Sequence, residues 1–64
     1  MSSNLSLEKG LLILNLLKEA REALGVREIG RRLDLTPSVA QRLLNSPASQ
    51  GYVEQESNRR YQIG

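Results

Sequence analysis

Ser38, Gln41, Arg42 and Asn45 follow one another at i, i+3, i+4 and i+7, the spacing that gathers side chains on one face of an α-helix. A guanidinium, two carboxamides and a hydroxyl are the groups that hydrogen-bond to base edges in a duplex groove. Arginine also suits phosphate, through its planar fork of donors. Residues 24–64 use arginine as their only basic side chain (Arg27, Arg31, Arg32, Arg42, Arg59, Arg60), set against Glu28, Asp34, Glu54 and Glu56. Residues 1–23 are balanced, with Lys9, Lys18 and Arg21 against Glu8, Glu19 and Glu22. The pI near 9.5 overstates the basicity, because the net charge is only +2 and a chain without histidine has little to buffer a small excess. Placement of the arginines says more than total charge, with ordinary solvated charges as the alternative reading.

What is missing narrows the chemistry further. The chain has no histidine and no cysteine, which removes most metal ligands and the commonest general base. No pair of carboxylates stands in an apolar setting. Catalytic, cofactor and metal sites are therefore not expected, and the chain does not read as an enzyme. Its longest apolar run, Leu11–Leu14, is far short of the roughly 20 residues that span a bilayer. The opening "MSSNLSLEKG" lacks the basic start and apolar block of a signal peptide. A soluble, cytoplasmic chain is the expectation. Sixty-four residues form one small domain with a thin core and a stability of about a few kcal/mol. The only aromatics are Tyr52 and Tyr61, so that core is expected to be aliphatic and mostly leucine.

The elements that must position the polar face are legible in turn. Residues 7–23 read as a first helix, with Ser6 as cap, Glu8 in the favourable first turn and strong helix formers towards the end. Leu11 to Leu14 step right round that helix, more than a thin core covers, which leaves either a partly exposed leucine or a second copy packing on the Leu11, Leu12 and Leu14 region. After Gly25, the residues Val26, Ile29, Gly30 and Leu33 mark a short second helix. Thr36 caps a third, with Pro37 at its first position, where a missing N–H costs nothing. Pro47 removes the bond to the carbonyl of Leu43 and disfavours helical backbone at Ser46, so this helix is expected to kink or end near Asn45. From Gly51 the period changes to two short strands, "YVEQ" and "RRYQI", with Tyr52, Val53, Tyr61 and Ile63 as the apolar residues of a hairpin.

The second and third helices have the spacing of a helix-turn-helix. Such a pair crosses steeply and needs a small residue at the crossing, a turn residue four later, and apolar props. Gly30, Asp34, and Ile29, Leu33, Leu35, Ala40 and Leu43 fill those places. Aspartate tolerates the left-handed backbone of such a turn better than most residues.

With these pieces in place, "SLEKGLLILNLLKEA", "VREIGRRLDLTPSVAQRLLNS" and "QGYVEQESNRRYQIG" resemble the N-terminal winged helix-turn-helix domain of the IclR-family bacterial transcriptional regulators. The likeness runs from about Leu5 to Gly64 and is most specific in "SLEKGL", "RLL", "GYV" and "RRYQIG". It implies a mainly α fold with a small β-hairpin, three helices plus a wing, and double-stranded DNA as partner. The third helix, about 37–46, would enter the major groove, and the wing, 52–63, would lie on the backbone. It further implies action as a homodimer in the bacterial cytoplasm, on the nucleoid when bound. A small-molecule effector would be taken by a C-terminal domain outside residues 1–64, which would be a single DNA-binding domain.

By position, Ser38 and Arg42 match the family's recognition-helix motif, while Val39 and Gln41 stand where threonine and histidine are frequent. Pro37 occupies a frequently polar place, and Pro47 one that is usually leucine. The expected roles are Gln41 towards adenine, and Arg42 towards guanine or, preferably, phosphate. Thr36 and Ser38 would meet phosphate at the helix N-terminus. Val39 and Asn45 would lie beside them, Arg27 and Arg31 would reach phosphate from the second helix, and Arg59 and Arg60 would touch backbone or minor groove from the wing. A competing role for Arg31 or Arg32 is pairing with Glu28 or Asp34. The alternative for the whole domain is a winged-helix protein-interaction module without DNA binding.

Overall fold

The computed structural model describes residues 4–64, which run α1 (Leu5–Ala20), β1 (Leu24–Gly25), α2 (Val26–Leu33), α3 (Pro37–Ser49), β2 (Val53–Gln55) and β3 (Arg60–Ile63). The three strands form one antiparallel sheet in the order β1-β3-β2, so the last strand lies in the middle. Leu24 pairs with Tyr61 on one side of β3, and Val53 pairs with Ile63 on the other. Three helices on a small sheet, with a hairpin as the wing, form the expected winged helix-turn-helix.

The core draws on every element: Ile13 and Leu17 from α1, Leu24 from β1, Ile29 from α2, Ala40 and Leu44 from α3, Val53 from β2 and Tyr61 from β3. It is mixed aliphatic with one tyrosine, less leucine-rich than composition suggested. Leu33, Leu35 and Leu43 pack half-buried against it, as the crossing requires. On α1, Leu11 and Leu12 remain 50 % and 51 % exposed, and Leu14 is half-buried.

Three boundaries differ from the sequence reading. Helix α1 starts at Leu5 because Asn4, not Ser6, is its cap: the Asn4 side-chain oxygen accepts from the Leu7 amide at 3.0 Å. It stops at Ala20 because Arg21 turns left-handed at φ 55°. Glu22 and Ala23 then leave the helix and bring Leu24 onto β3, a pairing two residues long that propensity does not announce. In the wing, only Val53 and Tyr61 enter the core, whereas Tyr52 and Ile63 are 64 % and 42 % exposed.

The third boundary is the end of α3. It does not fall near Asn45; the helix runs on through Pro47 to Ser49. Gly51 sets the true stop. At φ +84° it adopts the left-handed backbone that glycine takes without strain. Its amide donates to the Ala48 carbonyl at 3.2 Å and the next amide, Tyr52, to Pro47 at 2.9 Å, the paired bonds of a Schellman ending. Ser46 is satisfied too, by the Gln50 amide at 3.0 Å and the Ser49 hydroxyl at 2.9 Å. With the last turn closed in this way, the missing Pro47 donor is a local loss and not a terminator.

At the crossing of α2 and α3, a Cβ on Gly30 would run into the carbonyl oxygen of Leu35, well inside contact distance. The Leu35 amide donates back to the Gly30 carbonyl at 2.8 Å, and the amide of Asp34, left-handed at φ 57°, is aimed at the same oxygen. Thr36 then caps α3, its hydroxyl oxygen accepting from the Val39 amide at 3.2 Å.

Two stability predictions follow from these contacts. Gly30→Ala should destabilise the domain by about 1–3 kcal/mol despite alanine's better helix propensity, because the obstacle is backbone. In a thermal melt followed by circular dichroism this lowers Tm by at least about 4 °C. An unchanged Tm would show that the crossing has room for a methyl group. Pro47→Leu should act in the opposite direction, restoring a donor to the Leu43 carbonyl. A helix-interior proline costs about 3 kcal/mol, and the gain in a last turn should be about 1–2 kcal/mol. The same melt checks it, with no rise in Tm as the contrary result.

Candidate nucleic-acid interface

The front half of α3 presents its polar face outward. Ser38, Arg42 and Asn45 are exposed and Gln41 is half-buried. Together with Val26 and Pro37 they line an open, shallow depression between the N-terminal ends of α2 and α3. The opposite face of α3 sends Ala40 and Leu44 into the core, which fixes the roll of the helix about its axis. Thr36 lies exposed at the cap, but its oxygen already accepts from Val39. Val39 is half-buried and does not line the depression. Val26 does line it, although by sequence it is only the first apolar position of α2, with no polar signal to announce it.

Gln41 is held more tightly than an exposed reader would be. Its amide nitrogen donates to the Tyr61 hydroxyl at 2.9 Å and to the Asn45 side-chain oxygen at 3.1 Å. Tyr61, an apolar residue of the hairpin by sequence, thereby makes a polar contact between the wing and the polar face of α3. Arg42 borders two surfaces. It lines the polar depression and also an apolar groove of about 550 Å³ between α1 and the back half of α3, where Leu7, Leu11, Leu14, Leu43, Pro47 and Tyr52 come together.

The remaining arginines divide by their partners. Glu28 accepts from both Arg31 and Arg32 on the surface of α2. These bonds, that of Arg31 foremost, hold the Glu28 carboxyl below its usual pKa. The competing structural role for Arg31 is thus present, with Glu28 and not Asp34 as partner. Arg27 is exposed, and among the described residues it has no acidic partner.

Arg59 and Arg60 stand apart from the depression, at the tip of the wing. The Arg59 amide donates to the Glu56 carbonyl at 3.0 Å, and the Glu56 amide to the Arg60 carbonyl at 2.7 Å. Ser57, Asn58 and Arg59 therefore make a three-residue hairpin loop whose last residue is left-handed, at φ 64°. Glycine is the easy choice there, and arginine costs about 1 kcal/mol more. A cation is kept at the wing tip against the local preference of the backbone.

The fold as a whole has close counterparts in solved structures. An IclR transcriptional regulator from Alicyclobacillus acidocaldarius superposes with a TM-score of 0.91 at 23 % identity, over 98 % of this chain and 26 % of that one. An IclR-family transcriptional regulator from Brucella abortus gives 0.89 at 25 % identity, over 97 % and 24 %. The Agobacterium tumefaciens repressor BlcR gives 0.83 at 25 % identity, over 100 % and 26 %. The chain thus spans about a quarter of the length of each. Among curated protein sequences none matches it. The sequence profile of the IclR helix-turn-helix domain covers residues 6–57, and the chain belongs to that family of DNA-binding transcription-regulator domains.

Proposed function

We propose that α3 enters the major groove of duplex DNA by its N-terminal end, with Ser38, Gln41, Arg42 and Asn45 facing the bases and phosphates and the wing following the backbone. The observation that carries this reading is the outward polar front of α3, held in place by Ala40 and Leu44 in the core and by the tight crossing at Gly30. Arg42 stands at the rim of the depression and takes a phosphate. Ser38 and the exposed Thr36 hydroxyl meet phosphate at the start of the helix, where the helix dipole favours an anion. Val39, half-buried, gives at most an apolar edge contact. Arg27 reaches a neighbouring phosphate from α2, while Arg31 does so only by sharing itself with Glu28. Arg59 and Arg60 hold the backbone at the wing, and the left-handed Arg59 supports that role, since a strained residue at a loop tip points to a use for its side chain.

The same reading extends to assembly. A second copy packs through α1, around Leu11, Leu12 and Leu14, so that two recognition helices address one palindromic site. Residues 1–64 act as the single DNA-reading domain of a longer cytoplasmic regulator, whose further part takes the small-molecule effector. Among the described residues no helix is long and apolar enough to cross a membrane, and no group of acidic side chains could hold a metal ion.

Two measurements test the docking. In fluorescence anisotropy on a selected duplex, log affinity should fall with log salt at a slope of roughly −0.9 per phosphate contact, about −4 to −5 per subunit. Arg42→Ala should weaken every sequence alike and reduce that slope by about one. A flat salt response, or a loss confined to one base pair, contradicts the assignment. Arg59→Gly is the matching test of the wing, because it removes the cation while easing the backbone. Its Tm should hold or rise, by up to about 1 kcal/mol of stability, while DNA affinity falls and the slope shrinks. Unchanged affinity would detach the wing tip from the DNA.

A further inference from the structure

We infer that Tyr61, together with Asn45, sets the base preference of Gln41 by occupying its two donors, so that the third helix reads with an acceptor where a free glutamine would present a donor and an acceptor. This deepens the DNA-binding reading and rests on it.

A carboxamide has two N–H donors and one carbonyl oxygen. On Gln41 the nitrogen is engaged twice, by the Tyr61 hydroxyl at 2.9 Å and by Asn45 at 3.1 Å. Both donors are thereby used within the protein. The oxygen has no protein partner among the described residues, and Gln41 lines the open depression on the DNA-facing side. The adenine edge in the major groove offers an amino donor and the N7 acceptor, and bidentate reading needs one donor and one acceptor from the amide. With its donors held, Gln41 can only accept. It then recognises an exocyclic amine, at N6 of adenine or N4 of cytosine, and does not tell the two apart.

Tyr61 is a positioning residue here, since it acts through Gln41 and is only 4 % exposed. It is unusually well placed for the task. It lies on the central strand, opposite Leu24 on one side and Gln55 on the other, with its side chain in the hydrophobic core. Its hydroxyl is therefore a fixed point that the sheet delivers to the back of the recognition face. Asn45 takes the second N–H from the same helix, at i+4 from Gln41.

The test is selection of bound duplexes from a randomised library by the 64-residue chain, repeated with Tyr61→Phe, with Gln41→Ala, and with both changes. The base pair that loses its preference in Gln41→Ala is the one read by Gln41. There the unaltered chain should accept adenine and cytosine about equally, and guanine or thymine about tenfold less well. Tyr61→Phe frees one N–H, so adenine should rise over cytosine by about tenfold at that pair alone. The shift should vanish in the double variant. A loss spread evenly over all positions, or a shift that survives without Gln41, would make Tyr61 merely structural and overturn the inference. So would a guanine or thymine preference in the unaltered chain, which would mean both amides are turned over and a donor faces the groove. Failure of the unaltered chain to enrich any duplex would instead sink the DNA-binding reading itself.

Discussion

The backbone of α2 lies against the carbonyl of Leu35, and no side-chain atom at position 30 fits between them. Most of what the domain does depends on that approach. Two carbonyl-amide contacts bind the turn at the same place, with the Leu35 amide at 2.8 Å from the Gly30 oxygen and left-handed Asp34 closing the end of α2. The chain thus leaves α2 in a fixed direction and enters α3 through the Thr36 cap. A looser turn would let α3 roll, and a roll of one residue is about 100°, enough to turn Arg42 away from solvent and bury a polar face.

Given that crossing, each face of α3 has one destination. Ala40 and Leu44 are fully buried among side chains from all three helices and all three strands. Ser38, Arg42 and Asn45 are left outside, and Gln41 sits at the boundary, where the wing can reach it through Tyr61. In so small a domain the core and the polar face share residues: the tyrosine that fills the core also holds an amide at the edge of the polar face of α3. The apolar groove beside α1 lies around the corner from this surface, with Arg42 on the ridge between them.

Much of this was legible in the sequence, for reasons that differ by element. The third helix declared its start through Thr36 and Pro37, because capping is a local interaction between neighbours in the chain. Gly30 and Asp34 were legible because a steep crossing restricts residue types. The end of α3 was misjudged by giving Pro47 more weight than Gly51, although a proline in a last turn removes one bond whereas a left-handed glycine closes several. The early cap at Asn4 competed with Ser6 two residues away, and propensity alone does not choose between them. The two-residue strand at Leu24 and the Gln41–Tyr61 bond had no local signal at all. Both join residues far apart in the chain, and only the assembled sheet brings them together.

The arginines show the same division. Their crowding after residue 24 is plain in the sequence, but their availability is a matter of partners. Glu28 engages two of them, and the hairpin geometry singles out Arg59 by the backbone it tolerates. DNA binding as proposed requires α3 to turn its polar front to solvent as a reading surface. Amide NMR on the labelled chain, titrated with a selected duplex, tests it most directly. Shifts concentrated on residues 36–45 and on the wing around Arg59 are the predicted result. Shifts confined to the apolar groove around Leu11 and Tyr52, with the front of α3 unmoved, would contradict it.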